Sequence, residues 1–174
     1  EITGRSEFLT AYAGEPYEDH GRFQTLFEYE SLMAELLEFD VVNVPTYDWG
    51  QAASTSVRMA GRITGRNEML VSDTISPDRF KVIHNYCHPV MKLTMVKHHS
   101  ATGMMDLADL KSKLTANVAG VYFENPSYLG FIEEQGQQIA DLVHANGGEV
   151  VVGVDPSSLG ILTPHSQYGA DICC

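Results

Sequence analysis

The chain has 174 residues, 44% hydrophobic and 20% charged, with a formal net charge of −12. The length suits one domain with a sizeable core, and the composition excludes disordered and fibrous classes. An acidic balance of this size excludes a nucleic-acid surface, which needs a basic stripe, and no apolar run reaches the ~20 residues of a membrane span.

Residues 1–8 have no signal-peptide character and no initiator Met, so the sequence reads as an internal start. From about Arg22 the pattern alternates. A helix carries Phe23, Leu26, Phe27, Met33, Leu36 and Leu37 on one apolar face. A short strand is expected over 41–44, then a polar turn over 45–49, then a helix over 50–62 whose small residues (Ala52, Ala53, Ser54, Ser56, Ala60) suit close packing on a sheet.

Next come a strand over 68–72, a helix over 77–87 capped by Ser76 with Pro77 at its first position, and a strand over 90–96. A helix over 106–114 opens on an acidic residue, which favours the positive end of its dipole. A strand over 118–124 runs into Asn125-Pro126. The helix over 132–146 turns Ile132, Ile139, Leu142 and Val143 inward and ends at Gly147-Gly148, a C-cap signal. The valines Val150, Val151, Val152 and Val154 then read as a strand buried on both faces, which delivers Asp155 at its carboxyl end before Pro156 stops the ladder. A last apolar strand covers 170–174. Repeated strand–helix–strand units imply right-handed crossovers and an α/β fold of three layers, a mainly parallel sheet with helices on both faces.

Ligands bind such sheets outside the carboxyl ends of the strands. The turn Thr46-Tyr47-Asp48-Trp49-Gly50-Gln51 opens a helix whose free amides can hold a phosphate or carboxylate, or be capped by Asp48 itself. Neither G-x-G-x-x-G nor a P-loop is present. Asp155 suits a protonated ring nitrogen, a ribose hydroxyl, or the cap of its own turn. The loop over 125–130 lines the same crevice or is a surface turn. His84/His88 have i, i+4 spacing but no third ligand placed by sequence, and a solvated helix face is favoured over a metal; His98-His99 are expected to face solvent. G-x-S-x-G is absent, so no serine elbow is expected. Cys87, Cys173 and Cys174 support neither a disulfide framework nor a zinc site, and as reduced thiols they point to a cytoplasmic protein.

The runs Arg5-Ser6-Glu7-Phe8-Leu9-Thr10-Ala11-Tyr12, Leu26-Phe27-Glu28-Tyr29-Glu30, Asp40-Val41-Val42-Asn43 with Tyr47-Asp48, and Arg62-Ile63-Thr64-Gly65-Arg66 occur in order. So do Asn125-Pro126 to Gly130, Val154-Asp155-Pro156-Ser157-Ser158-Leu159-Gly160 and Tyr168-Gly169-Ala170-Asp171. Together they resemble the glycine cleavage system P-protein family, glycine dehydrogenase (decarboxylating), and within it the subunit 1 (alpha) half of split enzymes. The chain departs from the family pattern over 13–21 and at Trp49-Gly50-Gln51.

The resemblance implies the fold-type I architecture of pyridoxal 5'-phosphate (PLP) enzymes, with an N-terminal arm over 1–21 and a partial large domain over 22–174. It implies decarboxylation of glycine and transfer of the aminomethyl group to the lipoyl arm of the H-protein. The Schiff-base lysine and PLP are expected on the partner, P-protein subunit 2, so this chain alone is expected to be inactive and holds no catalytic residue. Tyr47, Asp48, Gly50, Gln51 and Asp155 are the expected cofactor-side residues, at or near the subunit interface; Asp155 is a relic or a turn cap more than a cofactor contact. The chain is expected to be a piece of a longer subunit. Two other readings stand beside this one: a stand-alone α/β domain binding a nucleotide or small acid at the Gly50 helix end, and a shortened aminotransferase-like PLP enzyme.

Overall fold

A computed structural model describes Glu1, Gly4, residues 20–43 and residues 45–174. The chain forms two compact units, Glu1–Pro45 and Thr46–Cys174. Most of the expected arm over 1–21, including the run from Arg5 to Tyr12, lies outside the described residues, as do the side chains of residues 20–24.

The first unit contains α1 (His20–Leu37). The expected apolar face is only partly realised. Leu37 is buried and Leu26 and Met33 are half-buried, whereas Phe27 and Leu36 are exposed. The strand expected over 41–44 is not formed at residues 41–43. Val41 is 83% exposed, so the short apolar run has neither a buried face nor a strand to pair with; Val44 lies outside the described residues.

In the second unit, α2 (Trp49–Thr64), β1 (Glu68–Ser72), α3 (Pro77–Cys87), β2 (Lys92–Val96), α4 (Leu107–Lys113), β3 (Val118–Glu124), α5 (Gly136–Ala145), β4 (Glu149–Gly153) and β5 (Ile172–Cys173) follow in order. The five strands form one sheet in the order β2-β1-β3-β4-β5, and every pairing is parallel. β1 to β2 steps one way across the sheet and β3 to β4 steps the other. Right-handed crossovers therefore put α3 and α5 on opposite faces, which gives the three expected layers.

Ala53, Val57 and Ala60 of α2 and Ile83 and Cys87 of α3 pack with Met69, Val71, Tyr122, Val151 and Ile172 in one core. On the other face α5 buries Ile139, Ala140 and Val143. It starts four residues later than expected, and Ile132 is exposed in the loop before it. Gln135 bonds Glu133 and Met105 O with its side chain at that point, so the chain remains a loop as far as Gly136. All seven residues of β3 are buried, which is what a central parallel strand requires.

The amino edge of the sheet is pinned by one side chain. Arg66 Nη1 donates to Val118 O and to Asn146 O, each at 2.8 Å, tying the turn after α2 to the start of β3 and the end of α5. Asp171 accepts from Val150 N at 2.7 Å and bonds His144 Nε2 at 2.8 Å, which fixes the approach to β5.

Two glycines are required for different reasons. A Cβ on Gly120 would sit well inside contact distance of Glu149 O, so β3 and β4 approach only because it is absent. Gly65 closes α2 at φ 69° with open space around it, so it supplies only the left-handed conformation. Gly120→Ala is expected to cost about 3 kcal/mol, as an overpacked core contact does. Gly65→Ala is expected to cost about 1 kcal/mol, the left-handed penalty alone. Urea unfolding of the two variants checks the order; equal losses would remove the steric account of Gly120.

Candidate functional site

The carboxyl ends of β3 and β4 meet the amino end of α2, and this junction is the candidate site. α2 begins with Asp48 in extended backbone, φ −154° and ψ 174°. Asp48 Oδ1 accepts from Gln51 N at 2.7 Å, and Gln51 Oε1 reaches back to accept from Tyr47 N at 2.9 Å. This is a reciprocal cap, with a carboxylate already seated on one helix amide, Gln51 N. The Tyr47 ring is 92% exposed. A Cβ on Gly50 would stand 3.1 Å from Val82 Cγ1, so the first turn of α2 lies tight on α3.

Beneath this cap is a polar cluster that the sequence reading did not single out. Arg79, in the first turn of α3, forms an ion pair with Glu124, the last residue of β3. The Glu124 side chain is 1% exposed. The guanidinium also lies 3.5 Å from the ring centroid of Trp49, a cation–π contact. Tyr122 Oη donates to Glu124 Oε1 at 3.2 Å. A Cβ on Gly153 would meet Tyr122 Oη at 2.6 Å and Trp49 Cζ2 at 3.3 Å, so β4 passes under α2 without a side chain. Trp49 Nε1 is buried and has no hydrogen-bond partner among the described residues.

Protonation follows from this packing. Burial first, with the neighbouring Glu124 carboxylate, holds the Tyr122 phenol well above its usual range, so it stays a neutral donor. Burial pushes the Cys174 thiol up to about 12 and raises Cys173 as well, so neither is a thiolate nucleophile at neutral pH.

Asp155 stands just beyond β4, exposed to solvent. Its Oδ1 accepts from Ser157 Oγ at 2.8 Å and from Ser157 N at 3.0 Å, capping the 3-10 turn Pro156–Gly160. These hydrogen bonds lower its pKa. Of the alternatives open in the sequence, the turn cap is the geometry present. Tyr47, Asp48, Gly50 and Gln51 come together at one helix end, and Trp49 against Gly153 links that end to the strand that delivers Asp155.

The loop over 125–130 is more than a surface turn at its start. Asn125 is buried, and its amide bonds Glu133 N, Glu133 O and Tyr168 Oη at 3.1–3.3 Å. The Asn125–Pro126 bond is cis. His165 Nε2 donates to Asn125 O at 3.0 Å, which leaves Nδ1 as the buried, unprotonated nitrogen. Tyr128 and Leu129, at the tip, are exposed.

His98 corrects an expectation. It does not simply face solvent, because its Nδ1 bonds Asp73 Oδ1 at 2.7 Å across the ends of β1 and β2, and its side chain is 29% exposed. His99 is exposed. His84 and His88 are exposed and stacked, with ring centroids 5.5 Å apart. Among the described residues no three His, Cys, Asp or Glu side chains are grouped as metal ligands.

The glycine cleavage system P-protein model matches residues 1–174. Curated relatives named probable glycine dehydrogenase (decarboxylating) subunit 1 include one from Thermococcus onnurineus, 42% identical over 97% of this chain and 38% of its own length. One from Staphylothermus marinus is 38% identical over 98% of this chain and 37% of its own. The chain thus spans somewhat over a third of the relatives it matches. A crystal structure of glycine decarboxylase (P-protein) of the glycine cleavage system, in inhibitor-bound form, superposes with a TM-score of 0.87 at 35% identity, covering 99% of this chain and 38% of that one.

Two outcomes follow from the cluster. Arg79→Gln leaves the Glu124 carboxylate buried and unpaired and is expected to cost about 3–5 kcal/mol. Arg79→Met with Glu124→Leu is expected to recover most of that loss in urea unfolding; a single variant as stable as the parent would refute the buried-pair account. Burial lowers the His165 pKa from 6.5, so in acid the unfolded chain takes up more protons than the folded one. Stability is therefore full above pH 6.5 and declines as pH falls from 6.5 toward the lower folded value. His165→Gln should flatten that part of the difference in urea midpoint against pH, and an unchanged slope would exclude His165 as its source.

Proposed function

This chain belongs to the glycine cleavage system P-protein family, and from that premise we propose that it is part of subunit 1 of a glycine dehydrogenase (decarboxylating) that works only with a second subunit. The assembled enzyme removes the carboxylate of glycine as CO2 and passes the aminomethyl group to the lipoyl arm of the H-protein. The second subunit carries PLP and its Schiff-base lysine. When bound there, PLP supplies the electron sink for decarboxylation. This chain contributes assembly and a wall of the site.

The Asp48 carboxylate at the amino end of α2 is the observation that carries this division of labour. A cofactor phosphate seeks free amides at a helix amino end. Here Gln51 N is held by the Asp48 carboxylate and Tyr47 N by the Gln51 side chain. A phosphate arriving there would meet a like charge at close range. The lysines of the chain are Lys81, Lys92, Lys97, Lys111 and Lys113, all of which precede β3. Lys113 is held by Asp109 and Met95 O, and Lys81 pairs with Asp78 out in solvent. Neither of these two lysines is free to capture PLP covalently, and no step is assigned to it on the residues present.

Tyr47, Asp48, Gly50, Gln51 and Asp155 are proposed to border the partner's cofactor rather than to hold one. The exposed Tyr47 ring and the open carboxylate edge of Asp155 support that role. A cytoplasmic location belongs to the same reading and is supported by three unpaired cysteines; among the described residues no helix is long and apolar enough to cross a membrane. A stand-alone domain binding a nucleotide or small acid at the Gly50 end is less well supported, since the Asp48 carboxylate there repels an anion.

Co-expression of the full-length subunit with its lysine-bearing partner tests the proposal. The two should co-purify, and glycine-dependent CO2 exchange should need both. Tyr47→Ala in that complex should lower exchange severalfold while the melting temperature stays put. Failure of the wild-type subunits to associate would sink the assembly; exchange unaffected by Tyr47→Ala would sink only the role of Tyr47.

A further inference from the structure

The chain has 23 acidic residues against 11 Lys and Arg, and six of the eleven are arginines. Three of those six line a single cleft of about 210 Å³ on α2, with Arg58, Arg62 and Arg66 around it and Gly61, Val90 and Met91 between them. The cleft opens at the amino edge of the sheet, at the far end of the strands from the candidate site.

Spacings of four residues bring Arg58 and Arg62 onto one side of α2, and Arg66 follows just past its end. Two of the three are held in place. The Arg58 guanidinium lies 4.8 Å from the Tyr86 ring centroid, and Arg66 is fixed by the carbonyls of Val118 and Asn146 through one nitrogen, Nη1. Arg62 is exposed and in the last turn of α2.

None of the three has a carboxylate partner among the described residues; the nearby Glu68 is engaged by Lys92 at 3.6 Å. The helix dipole at the end of α2 favours a cation there, but that accounts for Arg62 and not for Arg58 a full turn earlier on the same side of the helix. Guanidinium groups with no carboxylate beside them among the described residues are set for an added anion, and fixed donors lose little freedom when one arrives.

We propose that the Arg58–Arg62–Arg66 cleft binds an oxyanion group, a carboxylate or phosphate, with Arg58 and Arg66 as the preset walls and Arg62 closing over it. The anion has two possible sources: a free small anion, or an acidic side chain of the second subunit. Only the latter rests on the assembly proposed above.

The test uses the full-length subunit with Arg62→Glu and Arg62→Lys, both exposed changes, checked for folding by circular dichroism and melting. One arm titrates inorganic phosphate by calorimetry. The other measures association with the second subunit by sedimentation at low and high sodium chloride. Arg62→Glu should weaken one of the two about tenfold or more, the scale of a lost charge-assisted hydrogen bond, and Arg62→Lys should weaken it less. Loss in the phosphate arm assigns a free anion. Loss in the association arm, largest at low salt, assigns a partner carboxylate. No change in either arm overturns the cleft as a site. A wild-type subunit that never associates overturns the assembly instead, and the phosphate arm still decides the cleft.

Discussion

The ion pair of Arg79 with Glu124 is the interaction around which the carboxyl end of this sheet is built. A carboxylate at the end of an otherwise apolar central strand is tolerated in the interior only with a cation and hydrogen bonds around it. Arg79 supplies the cation from α3, Tyr122 the hydrogen bond from β3, and Trp49 of α2 lies against the guanidinium. Gly153 lets β4 pass beneath. Two helices and two strands are thereby held in one relative placement. Buried pairs of this kind add little net stability compared with apolar packing, but they specify one arrangement among several.

That placement gives the α2 amino end its character. Helix amides at a sheet crevice are a common seat for phosphate, and the same geometry here is occupied by the acid of the chain itself. One aspartate, braced by one glutamine, places a negative charge on the third amide of this helix end. The fold keeps its architecture while the local chemistry is changed by two side chains.

How much of this was legible in the sequence depended on whether the signal was local. Three elements were read to the residue (68–72, 77–87 and 118–124), because each is bounded by a cap, a proline or a polar turn that acts within a few positions. The Asp48 cap was one of two alternatives, and the choice between them needed the position of the Gln51 side chain. The strand expected over 41–44 did not form at 41–43, because valines alone do not make a strand without a neighbour. The Arg79–Glu124 pair joins residues 45 apart in the chain, and the Asp73–His98 pair joins residues 25 apart. No periodicity reports such contacts. A hint was available in Glu124 itself, a charge closing a run of apolar residues with no nearby cation in sequence. Its half-buried partner followed only from the crossover geometry.

Arg66 carries a kinetic consequence. Its two carbonyl partners lie 52 and 80 residues further along the chain. Closing contacts of that span costs loop entropy before anything is gained, and in an all-parallel sheet every strand pairing carries the same burden. The clamp can form only after β3 and the end of α5 are in place, so it belongs to the last stage of folding. Interactions made that late do little to the rate at which a chain finds its fold; they slow the rate at which it leaves. By this logic a single arginine at the amino edge of the sheet sets the lifetime of the folded unit more than the speed of its formation.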